Sequence, residues 1–470
     1  MEDAGNIPDF LAQGITYLLL KNRDCDNLSK YRPITCLCTI YKTYTACIAE
    51  KIYKHLDVNK LLAEEQKECI KNSQGCKEQP IIDLVVLEQA HKDNHNLYIE
   101  YIDYHKAFDS VPHSWLRHVL QIYKIDSLII NSLQQLMKKW KTTLKVNAKN
   151  NQIMSDPIRI QRGIYQRNSL SPLWFCLALN PLSHLLNRTN YGFGTHSDNQ
   201  EMQQLNHLLY MDDTKLYAAT NNQLQELLRL TQTFSRVIKM VLGIEKCKTL
   251  CIAKGKLEMR NFTKEDDDTM EAMNEDDVYR YLGHMQAKQI KHARMKQKLG
   301  KEYLNRIKSI LKTKLNGKNT IKAINTYATP VLTFSFRIAK WMPIDLENLQ
   351  TKRRTLLTRY RFHHPHAAKE RFTLPQQMGG RGLTDITRLH DKQVKLLQTY
   401  FLNEQVTSSL HAVVVKAADR CTPLDLVRAN ANELAKDEEY NNKVKRQWSQ
   451  KALYGRHPYD LSQKYVDIEA

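Results

Sequence analysis

Asp212 and Asp213 lie side by side in LLYMDDTKLY, residues 208–217, between two short apolar runs. Adjacent carboxylates repel one another, and a strand-edge turn can be built from cheaper polar residues. Oxygen donors of this kind suit a hard divalent cation such as Mg2+, usually held by one or two carboxylates together with substrate phosphates. Two such ions about 3.5–4 Å apart can stabilise the attacking and leaving oxygens of an in-line phosphoryl displacement. That chemistry calls for a third carboxylate on a neighbouring strand. Asp103 is the candidate, because it ends NLYIEYID (96–103), a run rich in β-branched and aromatic residues. On spacing alone a pair of aspartates is usually a turn, and Asp103 at a strand end shifts the balance toward a metal site.

The elements that must position these carboxylates follow from periodicity. ITYLLLK (15–21) reads as a strand ending in a lysine, and DNLSKYRPITCLCTIYK (26–42) as a turn-rich loop running into an apolar segment. Residues 43–63 fit a helix, with Ile48, Ile52 and Leu56 at helical intervals. NLYIEYID reads as a buried strand. SLSPLWFCLALNPLSHLLN (169–187) is helical, with Ser171 expected to cap it, Pro172 in its first turn and Pro181 expected to kink or end it. LNHLLYMDDTKLYAA (205–219) has two β-rich arms about a polar centre, the pattern of a hairpin. NNQLQELLRLTQTFSRVIKMVLG (221–243) is the clearest helix. Leu224, Leu227, Leu228, Phe234, Ile238 and Val241 share its apolar face, Asn222 is the expected cap and Gly243 the expected stop. A hairpin followed by a helix implies an α+β layer with the carboxylate turn at one end.

KEDDDTMEAMNEDD (264–277) reads as a solvated loop without the glycine and ligand spacing of a calcium loop. Between 288 and 322, twelve Lys or Arg fall on a helical pattern whose apolar face is Leu299, Tyr303, Leu304, Ile307, Leu311 and Leu315. One side of that stretch is buried and the other basic. Further basic helices run to about 361, including TKRRTLLTRYR, and the remainder is mixed and helical.

Bulk composition narrows the classes. The 470 residues carry 70 Lys+Arg against 50 Asp+Glu, a formal net charge of +20, which favours a polyanionic partner, most simply nucleic acid. A hydrophobic fraction of 42% supports real cores. At roughly 150 residues per domain the length suggests about three domains or one large multi-lobed one. Ten cysteines, at 25, 36, 38, 47, 69, 76, 176, 247, 251 and 421, lack the paired CxxC spacing of a zinc site and fit a reduced, intracellular compartment; the pairs Cys36/Cys38 and Cys247/Cys251, in strand-like apolar runs, read as small core residues. His363, His364 and His366 in RFHHPH lack a partner Cys or acidic pattern, so a metal role is disfavoured. No apolar run approaches about 18 residues, so no membrane partner is expected.

The contexts of the carboxylates say more than their spacing. DYHKAFDSVPH (103–113) and YMDD (210–213), in this order, resemble the palm motifs of reverse transcriptases. GIYQRNSLSP (163–172) resembles that family's intervening motif, and KYRPIT (30–35) and RYLG (280–283) also match in order. LSPLWFCLALNPLS (170–183) is in the style of non-LTR (LINE-type) retrotransposon polymerases, and GGRGL (379–383) is similar to a stretch of those elements.

The resemblance implies an α+β right-hand polymerase fold of fingers, palm and thumb with a mainly helical C-terminal part. Fingers would occupy 1–95, and a palm with an inserted fingers segment 96–283, the reverse transcriptase domain running from about 14 to 283. A helical basic thumb would occupy 284–365, and 366–470 has no assigned role. The resemblance also implies RNA-directed DNA synthesis with an RNA template, a DNA primer and dNTPs as partners and two Mg2+ ions, with Mn2+ as a substitute. Carried over, Asp103, Asp212 and Asp213 are the metal-binding carboxylates, and the repulsion within MDD is expected to be relieved by metal, not by a fixed lysine. Phe108 would lie under the sugar and exclude a 2′-OH, or simply pack behind the strand. Lys21 and Arg32 would grip the triphosphate, and Gln166 would contact nucleotide and template. Lys246, with Lys248 as fallback, would protonate the departing pyrophosphate. Tyr281, Leu282 and Gly283 would form the primer grip. Asp109 is expected to be structural.

Two departures from the family pattern stand out. Where the intervening motif has glycine and usually aspartate after its glutamine, this chain has Arg167 and Asn168. Glycine permits close backbone approach and unusual dihedrals. Arg167 is therefore expected to crowd the template or nucleotide and impair catalysis; the alternative is that its charge sits against a phosphate. LLLK also replaces a leucine-proline-lysine at the end of the first strand. Elements of this type normally carry an endonuclease domain and often a Cys/His cluster, and neither is visible, so the chain reads as a polymerase portion, a decayed copy or a partial gene model. The rival to an active polymerase is a catalytically impaired relic that only binds nucleic acid. A maturase-like splicing cofactor is a third reading, disfavoured because no intron-RNA-binding extension is recognisable. Nuclear access follows from family logic alone.

Overall fold

The computed structural model describes residues 7–20, 31–148, 151–195, 203–258, 262–263, 269–274, 277–286, 291–365, 367–421, 424 and 437–449. The chain divides into two compact units, one of residues 1–79, 90–196 and 202–277 and the other of 80–89, 197–201 and 278–470.

The strands of the first unit are β1 (Gln13–Leu20), β2 (Tyr31–Leu37), β3 (Leu97–Ile102), β4 (Lys141–Ala148), β5 (Asn151–Met154), β6 (Ile158–Arg159), β7 (Phe193–Thr195), β8 (Gln203–Leu205), β9 (His207–Tyr210), β10 (Asp213–Ala218), β11 (Lys248–Ala253), β12 (Lys256–Glu258), β13 (Phe262–Thr263) and β14 (Thr269–Ala272). Its helices are α1 (Thr39–Val58), α2 (Glu78–Lys92, of which 80–89 belong to the second unit), α3 (Ala107–Ser110), α4 (His113–Ile122), α5 (Ser127–Lys139), α6 (Ser171–Asn187) and α7 (Asn221–Val237).

All six residues of β3 are buried, Glu100 among them, so both faces of the strand are covered. β3 pairs antiparallel with β10 on one side and β11 on the other, giving the order β13-β14-β11-β3-β10-β9. The hairpin of β9 and β10 closes on the pair Tyr210 and Asp213, which leaves Met211 and Asp212 as its two turn residues. Met211 has φ 54°, the left-handed conformation that tight hairpin turns of matching twist demand. The outer edge of β9 is not free: Leu209 donates its N–H to Glu65 and accepts from Lys67. α7 packs across β10 and β3, and α6 lies in the core with twelve of its 17 residues buried.

A second sheet runs β2-β1-β4-β5, with β6 also on β4. β1 and β4 are parallel, so 126 residues separate the bonded hydroxyls of Thr16 and Thr142, 2.6 Å apart. Trp140, at the end of α5, packs edge-on to Trp174 of α6 with ring centroids 6.4 Å apart, and its indole N–H donates to the Tyr41 hydroxyl of α1 at 3.0 Å. Edge-to-face aromatic pairs of this kind are worth about 0.5–1.5 kcal/mol beyond their buried area.

The second unit opens with the hairpin β15 (Tyr279–Tyr281) and β16 (His284–Gln286). The larger helices that follow are α8 (His292–Leu311), α9 (Gly317–Ala323), α10 (Pro330–Thr333), α11 (Pro343–Arg359), α12 (Glu370–Thr373), α13 (Ile386–Glu404), α14 (Ser409–Cys421) and α15 (Asp437–Ser449). Tyr303, Ile307, Ile324, Leu332, Phe336 and Leu357 are buried there. On α8 the buried face is Met295, Gly300, Tyr303 and Ile307, narrower than the expected stripe, and Leu315 is exposed.

Several local expectations are corrected. α1 starts at Thr39 and ends at Val58, where Lys60 turns left-handed at φ 49°. Leu170, not Ser171, caps α6, and Pro181 stays inside an unbroken helix because the surrounding core holds it. Thr220 caps α7 through its hydroxyl, which accepts from the Gln223 N–H at 3.3 Å, and the helix stops at Val237, before Lys239 at φ 56°. Cys36 is exposed and Cys38 half-buried, whereas Cys247 and Cys251 are core residues as expected; all four are free thiols. Half of the acidic run at 264–277 lies outside the described residues, and within the rest Thr269–Ala272 form the strand β14 beside β11, not the expected solvated loop. Among the described residues no helix is long and apolar enough to cross a membrane.

Candidate active site

β3 ends at Ile102, and Thr214 of β10 lies opposite it, so antiparallel pairing sets Asp103 at the same sheet end as the hairpin turn. Asp103 and Asp212 line one cleft of about 650 Å³ in the first unit. Arg32 and Pro33 enter it from β2, Phe108 and Asp109 from α3, Gln166 and Arg167 from the following loop, and Lys246 from the turn before β11. Residues scattered from 32 to 246 in sequence therefore meet where two sheets and a short helix converge. Asp213, the first residue of β10, is half-buried and lies outside the cleft lining.

A fixed lysine is present at the third carboxylate, Asp103, and no ion pair joins it to Asp212 or Asp213 of the turn. Lys246 Nζ donates to Asp103 Oδ1 at 3.0 Å. Burial works against the lysine's charge, but the hydrogen bond and charge of Asp103 outweigh it, so its pKa rises. Burial is also the chief cause pushing the Asp212 carboxyl up; Asp103 adds to it, while its own backbone, Lys246 and Arg32 pull it down. Asp213 is pushed up to about 7 by burial and then by the charges of Asp212 and Asp103, with Lys246 opposing. Burial and the charges of neighbouring carboxylates thus raise Asp212 and Asp213, and a divalent cation would relieve carboxylates placed in this way. Among the described residues no group of three or more His, Cys, Asp or Glu side chains is gathered closely enough to hold a metal ion. A hard cation that takes only one or two protein carboxylates and completes its shell with water and phosphate fits these carboxylates.

The geometry separates the two candidate lysines. Lys248 pairs with Glu271 on the neighbouring β14, and its strand position opposes Tyr101, whereas Lys246 reaches the cleft. Phe108 is half-buried and stacks on Phe175 of α6, with ring centroids 4.6 Å apart and planes 12° from parallel. Through that stack it packs against the core, and it also lines the cleft. Asp109 Oδ1 accepts from Gln166 Nε2 at 3.3 Å, which ties it to the intervening loop. Gly163 sits against it so closely that an added Cβ would lie 2.7 Å from the Asp109 carbonyl oxygen.

Lys21 lies outside the described residues. Tyr281, Leu282 and Gly283 form the end of β15 and its turn in the second unit. Leu282 at φ 44° and Gly283 at φ 82° make the doubly left-handed turn of a tight hairpin, and Tyr281 is buried. His363 is held within its own fold, tilted against Phe372 with centroids 4.0 Å apart and hydrogen-bonded to the Ala367 carbonyl; His366 lies outside the described residues.

Sequence reading missed Lys106. It is an exposed residue at φ 47° ahead of α3, and it lines the cleft. One lysine among 70 Lys+Arg gives no signal on its own. Only its place two residues before Phe108 could have marked it.

The reverse transcriptase (RNA-dependent DNA polymerase) family model matches residues 20–286, more than half of the chain. The chain is similar to the Pol polyprotein of the type-2 retrotransposable element R2DM from Drosophila melanogaster, 24% identical over 59% of this chain and 25% of that one. It is similar also to the Pol polyprotein of a type-1 retrotransposable element R2 from Popillia japonica, 23% identical over 82% of this chain and 52% of that one. It thus spans between about a quarter and a half of the length of these relatives. A solved structure of apo telomerase from Candida Tropicalis aligns with 88% of this chain and 70% of its own at 11% identity and a TM-score of 0.42. With the motifs in order and the carboxylates at one sheet end, the chain belongs to the reverse transcriptase family, with a domain of the non-LTR retrotransposon type.

Proposed function

We propose that this chain is an RNA-directed DNA polymerase, joining a dNTP to a primer 3′-OH along an RNA template. The observation that carries the reading is the single cleft lined by Asp103, Asp212, Arg32, Phe108, Gln166 and Lys246. Asp103, Asp212 and Asp213 would hold Mg2+. Bound there, the metal would supply charge to activate the primer hydroxyl and to neutralise the departing pyrophosphate.

The protein's own groups do the rest. The Arg32 guanidinium offers a planar fork to phosphate oxygens, and Lys21 would add a mobile point charge. Lys246 keeps its proton at neutral pH, as a donor to a leaving oxygen must. Phe108, backed by Phe175, is a rigid floor under a sugar and would clash with a 2′-OH. Gln166, held by Asp109, is positioned to meet a base or nucleotide.

The domain reading goes with this function. Fingers would be residues 1–95 with 141–159 inserted, since β4 to β6 join β1 rather than the β3 sheet. The palm would be the rest of 96–283. The thumb would be 284–365, with Tyr281, Leu282 and Gly283 gripping the primer at its base. Access to chromosomal DNA would follow from the same reading.

Arg167 in the cleft favours a second reading, a relic that binds nucleic acid without polymerising. Primer extension on an RNA template with Mg2+ separates the two. Incorporation of dNTPs supports the polymerase, and a protein that binds template and primer without extending them supports the relic.

A further inference from the structure

Arg167 departs from the family pattern at the position where a glycine is usual, and the structure shows how the change is accommodated. Its φ is 65°, so the backbone keeps the left-handed conformation that glycine would supply. The turn is pinned on both sides. Gln166 Nε2 donates to Asp109 Oδ1 at 3.3 Å, and the Thr45 hydroxyl of α1 donates to Asn168 Oδ1 at 2.6 Å. Asn168 is buried, while Arg167 is exposed at the apex.

A side chain wedged into the cleft as a block would be packed or paired. Arg167 instead lines the cleft, and no hydrogen bond or ion pair joins its guanidinium to a described residue. Lys246, by contrast, is engaged with Asp103. The tethers hold the backbone of the turn, so binding has only the side chain left to order, and the planar fork of the guanidinium matches two oxygens of a phosphate. Strained non-glycine residues are retained where the surroundings over-determine them, and they cluster at ligand clamps.

We propose that Arg167 is a phosphate-binding residue of this cleft, gripping the phosphate of a nucleotide or of a nucleic-acid strand, and not a block to catalysis. The proposal rests on reading the cleft as a nucleotidyl-transfer site and assigns a ligand contact where glycine would give none.

The test is equilibrium binding by the full chain, in Ca2+ to support binding, of a fluorescent deoxynucleoside triphosphate and, separately, of a short single-stranded RNA. Arg167→Gly and Arg167→Lys are compared with the parent. Glycine suits the observed φ, so a melting temperature no lower than the parent's excludes misfolding. A nucleotide contact is expected to weaken triphosphate binding about tenfold or more in Arg167→Gly. A strand contact is expected to weaken RNA binding instead and to reduce its salt slope by about 0.7. Arg167→Lys should recover part of the loss, since it keeps the charge without the fork. Equal or tighter binding of both probes by Arg167→Gly overturns the proposal, as does a parent that binds neither. Arginine-dependent binding in a protein that extends no primer would fault the polymerase reading and leave this one standing.

Discussion

Asn in place of Asp213 is expected to stabilise the metal-free protein at pH 8. A carboxyl held at about 7 instead of its ordinary 3.8 costs about 4 kcal/mol to ionise, at 1.36 kcal/mol per pH unit. Solvent reaching this half-buried group reduces the realised figure to about 2–3 kcal/mol. The sign follows from linkage. The folded state holds this proton more tightly than the unfolded state. The parent therefore loses stability as pH rises from about 4 to about 7, and this group adds no further loss above that. Asp213→Asn has no proton to lose, so the gain it shows at pH 8 should shrink steadily toward pH 4. Asp212 is raised for the same first reason, burial, and leaves a smaller pH dependence in the variant. Urea melts at pH 5, 6, 7 and 8 in chelator, following the first transition, measure this directly. Adding Mg2+ at pH 8 should stabilise the parent and have much less effect on the variant, because one ligand is gone. If Asp213→Asn is no more stable than the parent in chelator at pH 8, the electrostatic account of the turn is wrong.

Lys246→Met should slow single-turnover extension by about a hundredfold or more with little change in nucleotide KM, as loss of a general acid requires. A change in KM alone would reassign the lysine to binding. Phe108→Val shortens the floor of the cleft and removes the stack on Phe175. Competition between dNTPs and ribonucleotides should then show discrimination falling by about tenfold to a hundredfold; unchanged discrimination would leave Phe108 as packing only. Gly163→Ala puts a Cβ 2.7 Å from the Asp109 carbonyl oxygen at φ 85°. It should cost about 2 kcal/mol or more in urea melts, through strain and displacement of the Gln166 anchor.

Element identities were legible where periodicity was strong. The six buried residues of β3, the MDD hairpin and the apolar face of α7 as far as Ile238 follow from sequence spacing, whereas Val241, expected on that face, is exposed beyond the helix end. Ends were not, because tertiary contacts decide them. The chain leaves α7 at Lys239 so that Gly243 can donate its N–H to the Asp103 carbonyl at 2.8 Å. Pro181 stays helical because α6 is buried among aromatic neighbours. The motif matches named Asp103, Asp212, Arg32, Phe108, Gln166 and Lys246, and the fold brings them to one cleft. No local pattern could reveal the Lys246 ion pair, since its partner lies 143 residues away. Nor could spacing choose between Lys246 and Lys248; β11 does so by pointing the second at Glu271. Arg167 was legible as a departure but not as a conformation, because a left-handed arginine has no sequence signature.

Primer extension by the purified chain on an RNA template with Mg2+, beside Asp212→Asn, tests the central claim most directly. The carboxamide is nearly isosteric and fits the same turn, so the variant should stay folded and bind template. The expected result is templated extension by the parent and its near-complete loss in Asp212→Asn. Extension that survives the substitution would contradict the assignment of the carboxylate turn to catalysis.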